Sequence, residues 1–341
     1  MFEFPVLLGD IGGTNARFAV LERPEGEPVV LDHERTADHA DPSAAIRAAL
    51  AKGGGQGRGE GGGTRPRSAI LAVAARVDGP AVQLTNAHWV IAGERIGRDL
   101  GLSRCTVVND YVPVAAGAAG LDPAGADRSL LEPVGGSCTP GKGARLVLGP
   151  GTGFGAAALV PYGRQLAIVS TEAGHADLGP CDEAEAAFWP GIDRVGGRVT
   201  IEALLSGPGL VRLYAALRRA RGGPEETDPA AITARGLDGE PLARATLERF
   251  ATLLGRVCGN LALTFLATGG VYIGGGIAPR ILPVLQAGGF RRAFEDKAPF
   301  AAMMETIPTC VITVADPAFA GLSALAREPA RFAYEGQVWE G

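Results

Sequence analysis

With 341 residues, 46% hydrophobic and 20% charged, the chain suits two domains or one large one and excludes disorder as its overall state. Its 32 basic and 37 acidic residues give a net charge of -5, which argues against nucleic acid as the main partner, because phosphate binding needs a basic surface. No run of eighteen apolar residues marks a membrane span, and five widely spaced cysteines suit neither a disulfide framework nor a zinc site, so a reduced cytoplasmic protein is the expectation.

In chain order, the first 35 residues read as strand, tight turn, strand, turn, strand. Residues 4–9 and 16–21 are apolar and flank the polar cluster 10–15, and a third strand covers 29–34. MFEFPVLLGD has no basic leader and reads as a first strand. Residues 40–51 look helical. The stretch 53–63, GGGQGRGEGGG, offers too little apolar surface to offset its ordering entropy and reads as a mobile surface loop. SAILAVAA at 68–75 and CTVVN at 105–109 are short apolar runs of the kind found in buried parallel strands. A long helix is expected over 246–266, where Leu247, Phe250, Leu254, Val257, Cys258, Leu261 and Phe265 recur on one face. Gly255 and Gly259, four apart, would let a neighbouring element approach closely. The last fourteen residues or so read as a loosely held tail.

A pattern repeats about 140 residues apart. LLGDIGGTNARFAV at 7–20 and LVLGPGTGFGAAALV at 146–160 are each an apolar strand, a glycine-rich turn and a second apolar strand. Two duplicated α/β halves with a cleft between them would produce this.

In the first turn, glycines let the backbone approach a ligand without Cβ interference. Gly12, Gly13, Thr14 and Asn15 could aim amides and a hydroxyl at phosphate oxygens, with Asp10 meeting a hydrated Mg²⁺. An ordinary polar hairpin is the alternative, and the second turn, GPGTGFG, favours phosphate. GSCTPGK at 136–142 has P-loop spacing, but Gly143 stands where a serine or threonine is needed and a strand follows, so it is rejected. Asp110 ends an expected strand, where a carboxylate could accept a substrate proton, or could merely cap the next helix. Glu172, His175 and Asp177 cluster between apolar segments and suit hydrogen bonds to substrate hydroxyls better than a metal. Glu202 could be simply a first-turn helix carboxylate. Both Glu202 and His175 lie outside the glycine turns in sequence, which sets them apart from the residues that could meet phosphate.

Taken together, GDIGGTNARF, LGPGTGFG, GGVYIGGGIAPR at 269–280, LTNAHWVI at 84–91, VVND ending at Asp110, EAGH at 172–175, LSGPGLVRLY at 205–214 and the GGF-to-FEDK stretch at 288–297 resemble the bacterial glucokinases of the hexokinase–actin ATPase superfamily. The resemblance covers nearly the whole chain. It implies two actin-like ATPase (ribonuclease H-like) α/β domains flanking a cleft, a small one from 1–120 plus 316–341 and a large one over 121–315. It implies ATP with Mg²⁺ and phosphoryl transfer to the 6-hydroxyl of glucose in the cytoplasm, with a homodimer as the family's expectation. Residue by residue, Asp110 becomes the general base, and Asn109, Asp110, Glu172, His175 and Glu202 the sugar ligands. Gly9, Asp10, Ile11, Gly12, Gly13, Thr14, Gly151, Thr152, Gly153, Gly275 and Gly276 become the nucleotide site, with Asp10 holding Mg²⁺ through water. The related zinc-bearing group follows its E-x-G-H histidine with a cysteine cluster; only Cys181 follows His175 closely here, so no zinc is expected. The rival readings are a kinase for fructose, mannose or an amino sugar, or a sugar-sensing regulator without catalysis.

Overall fold

The computed structural model describes residues 1–53, 65–84, 87–121, 130–314 and 316–341. The expected glycine-rich loop lies outside them from Gly54 onward, as do Thr85 and Asn86 of the LTNAHWVI segment. The chain divides into two compact units. One comprises Met1–Gly120, Pro161–Ser170 and Ala315–Gly341; the other comprises Leu121–Val160 and Thr171–Val314.

The first unit opens on β1 (Val6–Ile11) and β2 (Asn15–Leu21), an antiparallel hairpin with Asp10 opposite Arg17. The expected third strand is in fact two short ones, β3 (Val29–Val30) and β4 (Glu34–Arg35), which pair with different parts of β2. The break falls at Leu31–His33, where the buried carboxylate of Glu34 takes over from apolar side chains. Next come α1 (Pro42–Gly53), β5 (Ser68–Val73), the ribbon of β6 (Val82–Gln83) and β7 (Val90–Ile91), α2 (Gly93–Leu100), β8 (Arg104–Asn109) and α3 (Tyr111–Gly120). Strand β5 runs parallel to both β1 and β8, and all six of its residues are buried, as in a strand covered on both faces.

Beyond α3 the chain forms β9 (Leu131–Pro133), β10 (Arg145–Pro150), β11 (Phe154–Tyr162), β12 (Gln165–Thr171) and α4 (Glu183–Phe188). Helices α5 (Ile201–Leu204), α6 (Gly207–Arg221), α7 (Pro229–Leu237) and α8 (Pro241–Phe265) follow. Then come β13 (Gly270–Ile273), α9 (Leu282–Gln286), α10 (Gly289–Glu295), α11 (Ala301–Thr306) and β14 (Thr309–Ile312). In the second unit the strand order is β11-β10-β13-β14-β9. Here β10 pairs antiparallel with β11 and parallel with β13, and β13 is parallel to β14. That repeats the first unit, where β1 pairs antiparallel with β2 and parallel with β5, and β5 is parallel to β8. The duplicated α/β halves read from the sequence are present.

Helix α8 begins earlier than the apolar period suggested, because Glu240 accepts the amides of Leu242 and Ala243 and Pro241 occupies the first turn. Its glycines do admit a neighbour. A Cβ on Gly255 would overlap the Phe290 backbone, and one on Gly259 would lie 2.7 Å from the Phe294 carbonyl, both on α10.

Two expectations need correcting. The chain's last segment is not a loose tail: after α12 (Pro317–Arg327), β15 (Phe332–Tyr334) pairs with β12 and β16 (Gln337–Glu340) pairs antiparallel with β8. The Trp339 ring lies directly on Gly97 of α2, where any Cβ would collide with it. Nor are the cysteines all reduced. Cys138 and Cys310, 172 residues apart in sequence, form a disulfide with Cα atoms 5.7 Å apart. The fold makes this pairing, not the spacing: β9 lies against β14 with Pro133 opposite Cys310, and the chain beyond β9 returns Cys138 to it. Cys105, Cys181 and Cys258 are free, and burial pushes the Cys105 thiol up to about 12, so it stays protonated and inert. Among the described residues, no helix is long and apolar enough to cross a membrane.

Candidate active site

Both hairpins turn in three residues, Gly12 to Thr14 and Gly151 to Gly153. Each turn is closed by a backbone bond, Gly12 N–H to Asn15 C=O at 2.9 Å and Gly151 N–H to Gly153 C=O at 2.8 Å. In β1, a Cβ on Gly9 would come within 2.6 Å of the Leu71 side chain, so glycine there leaves room for that leucine on the neighbouring strand. Asp10 ends the exposed side of β1. Its Oδ2 accepts from both Nε (3.1 Å) and Nη2 of Arg17, and Nη1 of Arg17 reaches Asp316. Burial alone would lower the Arg17 guanidinium, but the two carboxylates outweigh it and raise it further, so it is a permanent cation here. Because Arg17 uses only Oδ2 and offsets much of the charge, Asp10 fits a hydrated Mg²⁺ held through water better than a directly bound ion.

The second turn packs backbone to backbone against the glycines that follow β13. Gly149 faces the Gly274 carbonyl with no room for a Cβ, and Gly275, at φ +79°, faces the Pro150 carbonyl in the same way. Gly274 N–H donates to Leu148 C=O at 2.7 Å. The structure therefore brings Gly149 and Pro150, immediately before the turn at Gly151, Thr152 and Gly153, against Gly274 and Gly275, which lie far from them in sequence.

Asn109 and Asp110 stand at the end of β8 in the first unit. The Asn109 carboxamide is committed to local structure, its Nδ2 donating to Ala75 C=O at 3.2 Å and its Oδ1 accepting from Tyr111 N–H at 3.0 Å. Through the Tyr111 amide, Asn109 helps hold the start of α3. The Asp110 N–H donates to Val73 C=O at 2.9 Å, which fixes where its half-exposed carboxylate begins.

Glu172, His175 and Glu202 lie in the second unit, around one residue that sequence reasoning missed. The Phe154 amide donates to Glu202 Oε2 at 2.8 Å, and the Phe154 carbonyl sits against Gly174 so closely that no Cβ would fit there. A Cβ on Gly153 would lie 2.5 Å from the same Glu202 oxygen. Glu202 does not stand apart from the glycine turn, as its sequence position suggested; the four-residue α5, capped by Thr200 and followed by the Ser206 cap of α6, delivers it there. His175 closes a tight turn onto the Glu172 carbonyl at 3.0 Å, and the two side chains are 3.7 Å apart and mostly exposed. Arg198, also missed, donates to the His175 carbonyl and to Asp177, at 3.1 and 2.8 Å. An isolated arginine on a polar hairpin carries no signal in the sequence. Cys181, Asp182 and Glu185 are close enough among the described residues to share a cation, but Glu185 already holds Arg256 at 2.7 Å and faces Arg249 at 3.6 Å. Two guanidinium charges oppose a metal there.

With this geometry, comparison with known proteins is specific. The family model described as Glucokinase matches residues 7–329. A glucokinase of Brucella suis biovar 1 is 45% identical over 99% of this chain and 96% of its own. The solved glucokinase from an Antarctic psychrotroph superposes with a TM-score of 0.79 at 30% identity, covering 96% of this chain and all of that one. A ROK family glucokinase from Streptomyces griseus, solved in complex with glucose and AMPPNP, shares the fold at a TM-score of 0.63 and 19% identity, covering 95% of this chain and 99% of that one. The match to the family model and the identity to full-length relatives lead to one conclusion: this chain belongs to the glucokinase family.

Proposed function

We infer that this protein is a glucokinase, transferring the γ-phosphoryl group of ATP to the 6-hydroxyl of glucose to give glucose 6-phosphate, and the observation that carries this is the family match over residues 7–329. The Streptomyces griseus relative holds glucose together with an ATP analogue, the two ligands this reading requires. In the proposed division of labour, Asp110 takes the proton of the 6-hydroxyl and aims its oxygen at phosphorus. Transfer of this kind rests on positioning and charge stabilisation, with one carboxylate orienting the nucleophile. Asn109, Glu172, His175 and Glu202 hydrogen-bond the sugar hydroxyls. The Asn109 carboxamide already serves Ala75 and Tyr111, which leaves its second Nδ2 hydrogen and the second lone pair of Oδ1 for the sugar. Gly9, Asp10, Ile11, Gly12, Gly13 and Thr14 form the phosphate loop, in which the Gly12 amide closes the turn on Asn15 and the amides of Gly13 and Thr14 donate to phosphate oxygens, joined by Gly151, Thr152, Gly153, Gly275 and Gly276 on the nucleotide side. Mg²⁺ would supply charge neutralisation to the phosphates, and Asp10 would hold its water shell. We also place the enzyme in the cytoplasm and as a homodimer; sedimentation at micromolar concentration checks the latter.

A site built to hydrogen-bond particular hydroxyls rejects analogues that lack them, because its buried polar groups are left unpaired. Glucose is therefore the expected acceptor over fructose, mannose and amino sugars. A coupled assay with ATP across these sugars tests it. Faster turnover of fructose or an amino sugar would leave a kinase but remove the named substrate.

A further inference from the structure

The tip of the first hairpin is held from outside the hairpin. Thr36, immediately after β4, is 3% exposed and spends both of its hydrogen-bond donors on that tip. Its N–H donates to the Thr14 carbonyl at 3.0 Å and its Oγ1 donates to the Gly13 carbonyl at 2.8 Å. We propose that Thr36 is a positioning residue that turns the amides of the first glycine turn toward the nucleotide phosphates. This rests on reading Gly9 to Thr14 as the phosphate loop.

A trans peptide is planar, so its C=O and the following N–H point in opposite directions. Tying the Gly13 carbonyl to the Thr36 hydroxyl therefore sends the Thr14 N–H away from Thr36. Tying the Thr14 carbonyl to the Thr36 amide does the same for the Asn15 N–H. Thr14 and Asn15 are both exposed, so an anion can reach this part of the turn. Two glycines precede Thr14, and glycine resists rotation of the peptide plane very little. Without the tie, a flipped Gly13–Thr14 peptide would present a carbonyl oxygen to phosphate oxygens instead of a donor.

Thr36 is itself anchored on the side it follows. Strand β4 pairs with β2, Asn15 opposite Arg35 and Ala16 opposite Glu34. The Glu34 carboxylate is 3% exposed and accepts from Lys52 Nζ at 2.6 Å and from the His39 Nε2 at 2.7 Å. Those partners lie on α1 and on the residue closing the turn after Thr36, so the strap is pinned at both ends.

The test is Thr36→Val, which keeps the branched shape and the backbone donor but removes the hydroxyl, with Thr36→Ser restoring it. Binding of a Mg²⁺-bound non-hydrolysable ATP analogue is measured by calorimetry, alongside both KM values and the melting temperature. Thr36→Val should weaken analogue binding and raise the ATP KM by roughly tenfold, the effect of one lost hydrogen bond to an organised acceptor. The glucose KM should stay within about twofold, and Thr36→Ser should recover analogue binding to a similar margin. A lower melting temperature with unchanged analogue binding would make Thr36 merely structural and overturn the proposal. Thr36→Ala serves in the same assay if the valine variant does not fold. Asp10→Asn separates the two readings: if it weakens analogue binding while Thr36→Val does not, the loop reading stands and Thr36 falls. If neither variant affects binding, the loop reading falls with it.

Discussion

The Glu202 carboxylate accepts the Phe154 amide at 2.8 Å, and it borders the glycine turn that also meets Gly275. A glutamate proposed for the sugar therefore also organises the turn proposed for the nucleotide. Removing it, as in Glu202→Ala, should raise the KM values for glucose and ATP together, each by about tenfold or more, since a backbone donor loses its partner. His175 touches neither glycine turn among the described residues, so His175→Ala should raise the glucose KM alone. Separate KM measurements decide it; an unchanged ATP KM in Glu202→Ala would detach that residue from the turn. At Glu34, burial is the largest influence and raises the carboxyl, but hydrogen bonds from Lys52 and His39 outweigh it and hold the group below its ordinary value of 4.5. A depressed carboxyl stabilises the fold above its unfolded value and loses that stabilisation as pH falls through the folded one. Glu34→Gln should thus be less stable than wild type at neutral pH, with the gap closing below about pH 4.5. Urea midpoints across that range check the sign. A gap that stays constant into acid would show that shape, not charge, makes Glu34 stabilising.

At the scale of elements, legibility followed local physics. Gly255 and Gly259 announced the approach of α10, because two glycines one helical turn apart leave the same face bare. Their counterparts on α3 and α12 were less visible. A Cβ on Gly321 would overlap the Pro113 carbonyl, and one on Gly117 would lie 3.2 Å from the Pro317 carbonyl, so the two helices meet backbone to backbone. Gly321→Ala should therefore cost about 1–3 kcal/mol, the usual effect of overpacking a tight contact. Thermal or urea unfolding measures this, and a loss below ~0.5 kcal/mol would mean that the helices separate freely. Strand β16 was missed for a different reason. Its sequence, QVWE, is short, polar-flanked and half-exposed, and only pairing with β8 and the seat of Trp339 on Gly97 make it a strand. No local pattern encodes a partner 230 residues away.

Across the whole molecule, the duplicated hairpins were readable because each turn is a short glycine-rich stretch between apolar strands, and their three-residue length is the same in both units. The contacts that shape the second turn were not. Gly274 against Gly149, Phe154 against Glu202 and Arg198 against His175 each join segments distant in sequence. The Cys138–Cys310 link is of the same kind, a product of β9 lying beside β14. Motif order was enough to name the chemistry, while the positioning of the groups that perform it appears only in three dimensions. The central claim is that Asp110, at the end of β8, is the base for phosphoryl transfer to glucose. It is tested most directly by Asp110→Asn, with glucose binding followed by calorimetry and turnover by a coupled assay with ATP and Mg²⁺. The expected result is glucose binding and melting temperature close to wild type, with turnover lower by ~10²–10⁴-fold. Turnover within about threefold of wild type in well-folded, pure protein would contradict the account.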